Sequence, residues 1–231
     1  MADKPKSIRV VCATRLPQNA FLAQSLTGFS LKSYMPVSPI ELTLFAENRR
    51  GLAEVYNMAI ERFINDDCIL VFVHDDVLFM DYHWGDVVRR GLDSFGIVGV
   101  VGNTRRQKNQ PGWIVTDLHG KLDEAACLSG AIGQGNAFPP EHLDVFGPAG
   151  WECKLMDGLF LAVATETLKT TGLRFDPHFK FHFYDMDFCR EAERLGVSMG
   201  TIPLAMSHAS PGGLSKAWKE TYPAYLEKWK E

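Results

Sequence analysis

Cys68-Ile69-Leu70-Val71-Phe72-Val73-His74-Asp75-Asp76-Val77 is the stretch whose reading decides the fold. Six apolar residues without polar alternation describe a strand buried on both faces, as in a parallel sheet covered by helices. The next three residues change character at once, to an imidazole and two adjacent carboxylates. In open α/β sheets ligands bind just beyond the carboxyl ends of the strands, and charge placed there is seldom needed for packing. Oxygen ligands suit Mg2+ or Mn2+, which neutralise the phosphates of a substrate. The competing reading is that Asp75 and Asp76 merely start a turn or cap the next segment.

Working outward, residues 51–64 form the clearest helix. Leu52, Val55, Tyr56, Ala59, Ile60 and Phe63 follow i, i+3, i+4 spacing, with Glu54, Glu61 and Arg62 on the other face. Upstream, residues 8–12 and Ile40–Phe45 read as strands, with a helix over 19–32 between them and a break at Pro36 and Pro39. Residues 97–101 are a further strand. Strands alternating with helices over about 100 residues predict a doubly wound α/β sheet. Residues 105–150 are rich in Gly and Pro and nearly without periodicity. They read either as an irregular insertion covering a site or as a loosely ordered surface loop. Regular structure is expected to resume with a strand at 159–163, a short helix capped by Thr165 and stopped by Gly172, and a helix over 187–195 stopped by Gly196. A last strand at 197–202 and an amphipathic tail over about 214–231 complete the chain.

The composition agrees. The 231 residues are 46% hydrophobic and 23% charged, which excludes disordered, collagen-like and coiled-coil classes. A chain of this length buries roughly 70–75% of its unfolded surface, so it is expected to be a single domain that needs no staple. The longest apolar stretches are too short to span a bilayer, and residues 1–6 show no signal-peptide pattern. The net charge of −4 argues against a nucleic-acid binder. An anionic substrate would need a local positive charge, such as a metal ion. Cys12, Cys68, Cys127, Cys153 and Cys189 are odd in number and scattered, which predicts reduced core cysteines and a cytoplasmic protein.

Two further motifs carry candidate chemistry. In Phe181-His182-Phe183-Tyr184-Asp185-Met186-Asp187-Phe188, Asp185 or Asp187 is either a helix cap or a base poised against an acceptor hydroxyl. His178 and His182 match zinc spacing only on a helix, and the intervening Phe residues suggest an extended segment instead. In Ser207-His208-Ala209-Ser210-Pro211-Gly212-Gly213, His208 follows the last strand, where an imidazole is either structural or a transition-metal ligand.

In this order the pieces resemble family-2-type glycosyltransferases of the GT-A fold, particularly a small bacterial glycosyltransferase-like branch. The resemblance is carried by residues 8–12, by Ala53-Glu54-Val55-Tyr56-Asn57-Met58-Ala59-Ile60 and by Phe72-Val73-His74-Asp75-Asp76-Val77. It continues through Met156-Asp157-Gly158-Leu159-Phe160-Leu161-Ala162-Val163, Gly172-Leu173-Arg174-Phe175-Asp176, Tyr184-Asp185-Met186-Asp187-Phe188, Gly196 and His208. It spans about residues 8–210 and leaves 105–150 unmatched.

The resemblance implies a mostly parallel central sheet with helices on both faces. It also implies metal-dependent, inverting transfer of a hexose-like sugar from a nucleotide-sugar to the hydroxyl of a saccharide or other acceptor. Asp76 matches the last acid of the family's D-x-D motif, with Mn2+ or Mg2+ as cofactor, and His74 stands where the first acid usually is. Asp75 faces the donor ribose, Glu47 the nucleobase, and Asn57 lies near the donor. Asp185 matches the general base, with Tyr184 replacing the Glu of that pair, and Asp187 matches the following acid. His208 matches a late metal-binding histidine, and Asp157 lines the acceptor pocket. Gly-rich segments near Gly133 and Gly212 would close over the donor. Two other readings stay open. One is a nucleotidyltransferase, against which 13–18 lacks a Gly-rich basic loop. The other is a nucleotide-sugar-binding module with decayed catalytic motifs, which His74 and Tyr184 favour. A homo-oligomer built through the aromatic tail is also compatible with the sequence.

Overall fold

The computed structural model describes residues 6–36, 40–210 and 212–231; residues 1–5, Pro39 and Pro211 of the sequence reading lie outside the described residues. The chain runs β1 (Ser7–Ala13), α1 (Gln18–Gln24), α2 (Leu26–Tyr34), β2 (Ile40–Phe45), α3 (Leu52–Phe63), β3 (Cys68–Val73), β4 (Val77–Phe79) and α4 (Trp84–Leu92). It continues through β5 (Ile97–Gly99), β6 (Val101–Asn103), a 3-10 turn (Ala125–Cys127), β7 (Leu128–Gln134), β8 (His142–Gly147) and β9 (Leu155–Met156). Last come β10 (Phe160–Ala164), α5 (Thr165–Thr171), α6 (Tyr184–Arg194), β11 (Met199–Thr201), β12 (Met206–His208) and α7 (Lys216–Trp229).

The first sheet has the order β11-β5-β10-β3-β1-β2. β2, β1 and β3 are parallel, and so are β5 and β11, while β10 runs antiparallel between β3 and β5. The central sheet is therefore mixed. β3 is buried at every residue because helices cover both of its faces. Leu70 and Phe72 join Val11 in a core closed by α3, α5, α6 and α7. Ile69 and Val71 join Val10 in a second core closed by α1, α2 and α4. Each large apolar side chain buried there contributes roughly 1.5–3 kcal/mol, so a polar residue anywhere in the run would breach one core or the other.

A second sheet, β4-β12-β7-β6-β9 with β8 on β7, lies off the first. The chain passes between the sheets at five places: β3 to β4, β4 to β5 by way of α4, β5 to β6, β9 to β10 and β11 to β12. This seam corrects several expectations. The strand expected over 97–101 is two strands, β5 and β6, separated at Val100 and belonging to different sheets. Residues 105–150 are not merely irregular, because β7 and β8 form an antiparallel pair within them. Their weak periodicity reflects strands that carry glycines at close backbone contacts. Gly133 lies inside β7 and is not a flap.

The helix expected over 19–32 is split at Ser25, whose extended backbone ends α1 and whose hydroxyl accepts from the Gly28 amide at 2.8 Å to cap α2. Thr165 is not a cap. Its hydroxyl is 2.6 Å from the Asp66 carbonyl and 2.9 Å from that of Cys68, and so stitches α5 to the start of β3. Gly172 does end α5, in the left-handed conformation. α4 and β4 were not anticipated. α6 begins three residues earlier than expected, at Tyr184. The five cysteines are free, and no helix among the described residues is long and apolar enough to cross a membrane.

Candidate active site

The seam collects the candidate residues. His74, Asp75 and Asp76 form the turn from β3 to β4, Asp157 and Gly158 the turn from β9 to β10, and His208 ends β12 beside Val77. The turn is held from α2. The buried Thr27 hydroxyl sits 2.5 Å from the His74 carbonyl and 2.9 Å from that of Val77, and accepts from the Val77 amide at 3.2 Å. The break at Ser25 is what brings Thr27 here.

His74, Asp76 and His208 offer one ligand atom each, all within 4.8 Å of one another. His208 Nε2 lies 3.2 Å from Asp76 Oδ1. It is nevertheless poorly aimed for a hydrogen bond, and this buried nitrogen has no hydrogen-bond partner among the described residues. Ser210 donates its hydroxyl to the other Asp76 oxygen. Burial opposes ionisation of Asp76, but His208 and Ser210 outweigh it and hold the carboxyl well below the usual range. Burial likewise opposes the charged form of His208, and Asp76 pulls its pKa up. Burial lowers the pKa of His74 despite the carboxylates around it, which favours the neutral ring that can ligate. A nitrogen–oxygen–nitrogen donor set with an orphaned buried imidazole nitrogen fits a divalent cation, and two imidazoles suit a transition ion such as Mn2+ better than Mg2+.

His74 and Tyr184, the two residues that depart from the motifs of the glycosyltransferases the sequence resembles, touch each other. His74 Nε2 is 2.8 Å from the Tyr184 hydroxyl, which in turn donates to the Gly158 carbonyl at 2.8 Å. The phenol has one proton and gives it to a carbonyl that only accepts. His74 must then donate from Nε2, which leaves the lone pair on Nδ1 for a metal. The same peptide is gripped from its other end, where the Gly158 amide donates to Asp185 Oδ2 at 2.9 Å. A Cβ at Gly158 would stand 2.2 Å from the Tyr184 hydroxyl, so only glycine allows this approach.

Asp185 is not the cap of α6. That position is Phe183, in the left-handed region at φ 65, with no side-chain capping bond. Phe183 is held there by the rings of Trp218, Tyr222 and Tyr225 from α7. Asp185 Oδ1 accepts from the Met186 amide at 2.8 Å. Burial, then the neighbouring Asp157 carboxylate, push the Asp185 pKa up to about 7 against these amide bonds. Asp157 is fixed in turn by the Trp113 indole at 2.7 Å and the Leu159 amide at 2.8 Å.

The remaining expected residues divide. Asp75 faces the first strand, accepting from the Thr14 hydroxyl at 2.6 Å. Glu47 is exposed in a turn whose next amide, that of Asn48, donates to the Thr14 carbonyl at 2.8 Å, so it lies at the same end of the sheet. Asn57 has both ends of its amide committed to the Phe175 main chain, at 2.7 and 3.0 Å, and braces that segment. Asp187 is buried and turned to the tail, with Lys228 2.6 Å from one oxygen and the Trp229 indole at 3.0 Å. His178 and His182 lie in turns, neither helical nor extended, and His182 meets the Ser215 hydroxyl at 3.2 Å. Thr14, Thr27, Trp113 and Ser210 were missed. Of these, only Ser210 stood inside a motif that the sequence marked.

No protein-family model matches the sequence, and no curated protein matches it. Among solved structures, the chain is similar to A197 from STIV, with a TM-score of 0.48 and 11% identity over 85% of this chain and 82% of that chain. It is also similar to GalNAc-T7 solved with UDP, GalNAc and Mn2+, with a TM-score of 0.53 and 10% identity over 97% of this chain and 48% of that one. The chain thus spans about half the length of the second protein. At this identity the likeness shows the fold, a GT-A-type mixed α/β architecture.

Proposed function

We propose that the chain is a metal-dependent, inverting glycosyltransferase that moves a sugar from a nucleotide-sugar to an acceptor hydroxyl. The observation that carries this is the His74–Asp76–His208 cluster at the carboxyl end of β3, with Asp185 held beside it through Tyr184 and Gly158. The fold supports the same reading, as does the presence of UDP and Mn2+ with GalNAc-T7 in its crystal structure. When bound to His74 Nδ1, Asp76 and His208, Mn2+ or Mg2+ would supply charge neutralisation for the diphosphate leaving group. Asp75 and Glu47 flank the donor side of that cluster. Asp185, poised near neutral pH, accepts the proton of the attacking hydroxyl. Asp157 keeps that carboxylate basic and lines the acceptor side. Both sheets contribute residues, so residues 1–231 act as one catalytic unit.

The test is nucleotide binding and sugar transfer with a panel of nucleotide-sugars in Mn2+, Mg2+ or EDTA. Binding of UDP or GDP should require the cation, and Asp76→Asn should lose most of the cation-dependent part. Equal nucleotide affinity in EDTA would remove the metal from the mechanism. Absence of transfer with intact metal-dependent binding would favour the binding-module reading.

A further inference from the structure

β2 forms one outer edge of the first sheet, and that edge is open among the described residues. We propose that it pairs antiparallel with β2 of a second copy of the chain, joining two six-stranded sheets into one across a two-fold axis. The pairing is independent of the sugar-transfer reading and of the metal cluster.

The free main-chain groups can be assigned. The Thr14 amide donates to the Phe45 carbonyl at 3.0 Å, so the main chain of Phe45 faces β1. The N–H and C=O of one strand residue point to the same side, and successive residues alternate. Glu41 and Thr43 therefore also turn to β1, and Ile40, Leu42 and Leu44 present their groups to the outside. The strand lacks the usual protections of an edge. Ile40-Glu41-Leu42-Thr43-Leu44-Phe45 has no Pro, Lys or Gly, and its register with β1 is unbroken. Its one charge, on Glu41, is paired with Arg9. The opposite edge of the sheet is treated differently. β11 is only three residues long, and the segment before β9 covers it: the Cys153 amide donates to the Met199 carbonyl at 2.8 Å and the Thr201 amide to the Trp151 carbonyl at 3.2 Å.

A groove of about 460 Å3 runs along this edge, and its walls select the occupant. One wall is apolar, with Phe21, Leu22 and Met35 on the side of Leu42 and Leu44. The other is cationic. Arg9 reaches Glu41 there and lies 4.3 Å from the Phe63 ring centroid. Arg62 lies 5.0 Å from the same centroid and makes no ion pair among the described residues. An added strand must therefore alternate apolar residues toward α1 with polar or acidic ones toward Arg62. β2 is itself such a strand, since Ile40, Leu42 and Leu44 alternate with Glu41 and Thr43. A two-fold axis perpendicular to the sheet keeps every side chain on its own face. The second copy's Leu42 and Leu44 then meet the apolar wall, and its Glu41 comes to the side of Arg62. Centred on Leu42, the pairing sets Leu42 against Leu42 and Ile40 against Leu44, each pair exchanging two main-chain hydrogen bonds. Glu41 then stands opposite Thr43, so no like charges face each other. The aromatic tail does not serve as this interface, because Trp218, Tyr222 and Tyr225 are buried in their own chain.

Sedimentation equilibrium of the full chain, in Mn2+ and in EDTA, tests this. A species of twice 25.9 kDa is expected at micromolar concentration in both. Leu42→Pro removes an outward N–H that β1 does not use, a position at which an edge strand tolerates proline. It should raise the dimer dissociation constant at least about thirtyfold while the chain stays folded by circular dichroism. Should that variant fail to fold, a charge swap decides. Glu41→Arg and Arg62→Glu should each weaken self-association, and the two variants mixed should associate, because every Arg then meets a Glu of the other copy. A wild type that stays monomeric at tens of micromolar would overturn the pairing, even if its edge captured an extended peptide. So would a dimer seen only with Mn2+, which would put the interface at the metal cluster. An unchanged dissociation constant in folded Leu42→Pro, or no recovery on mixing the charge variants, would also overturn it.

Discussion

Replacing Asp185 by Asn separates the cost of the proposed base from its use. Asp185 has a folded pKa of about 7 against an ordinary 3.8. A carboxyl whose pKa is raised by folding destabilises the fold wherever it is ionised. The wild type is unpenalised below about pH 4, loses stability as pH rises toward 7, and stays at the lower value above that. The full loss is about 4 kcal/mol, at 1.36 kcal/mol per pH unit. Between pH 5 and pH 8.5 the share that falls in the window is about 2.7 kcal/mol. Asn carries no charge and escapes this loss. Its NH2 must, however, face either the Gly158 or the Met186 amide, both of which donate to Asp185. That mismatch costs roughly 1–3 kcal/mol at every pH. By pH 5 the wild type has already lost roughly 1.6 kcal/mol, so the variant should lie within about 1.5 kcal/mol of it there and should overtake it by pH 8.5. With an m-value of about 2 kcal/mol/M, the difference between their urea midpoints should move by more than about 1 M across that window. Unfolding in EDTA at the two pH values measures it, and transfer at pH 7.5 should fall by roughly 10²–10⁴-fold in the same variant. If the two midpoints run parallel from pH 5 to 8.5, Asp185 is an ordinary solvated carboxylate and the argument for it as the base fails.

Two other perturbations test the supports of the site. Gly158→Ala puts a methyl 2.2 Å from the Tyr184 hydroxyl, so it should displace Tyr184 and His74 and weaken Mn2+ binding at least about tenfold, with a stability loss of about 1–3 kcal/mol; unchanged Mn2+ affinity in a folded variant would disconnect Tyr184 from the metal cluster. Lys228→Met leaves the buried Asp187 with no cation, which should cost about 3–5 kcal/mol in chemical unfolding, while Asp187→Asn with Lys228→Met together should recover most of the loss; if Asp187→Asn alone abolishes transfer in a stable protein, Asp187 rather than Asp185 is the base.

How far the sequence could be read follows from the range of the interactions concerned. β3 was legible because burial on both faces needs a continuous apolar run, and α3 because its apolar stripe repeats within one helix. His74, Asp76 and His208 were legible as chemistry at strand ends, and the structure brings them within 4.8 Å. The roles of Asn57 and Asp187 were not. Their partners, Phe175 and Lys228, stand 118 and 41 residues away and leave no local pattern. Thr27 reads as an ordinary helical threonine until the break at Ser25 sets it against the β3–β4 turn. The second sheet was hidden for a different reason. Its strands β4, β6, β9 and β12 are two or three residues long, too short for a period of two to show.

His74 and Tyr184 look like two separate departures when each is set against the acids of the glycosyltransferases the sequence resembles, yet the structure makes them one arrangement. An acid at position 74 would meet a phenol that already gives its proton to Gly158, so the carboxylate would face a lone pair in a buried space. An imidazole there supplies the missing donor from Nε2 and still presents Nδ1 to a cation. A Glu at 184 would place a third carboxylate near Asp185 and Asp157, where Asp185 is already held at a pKa of about 7, and would drive it still further from ionisation. Tyrosine keeps a hydrogen-bonding group at that point without adding charge. Each substitution is therefore costly alone and compatible with the other. On the proposed function, a site assembled this way would keep two nitrogens and one carboxylate for a cation and one carboxylate free to take a proton, which is the division of labour that sugar transfer to a hydroxyl requires.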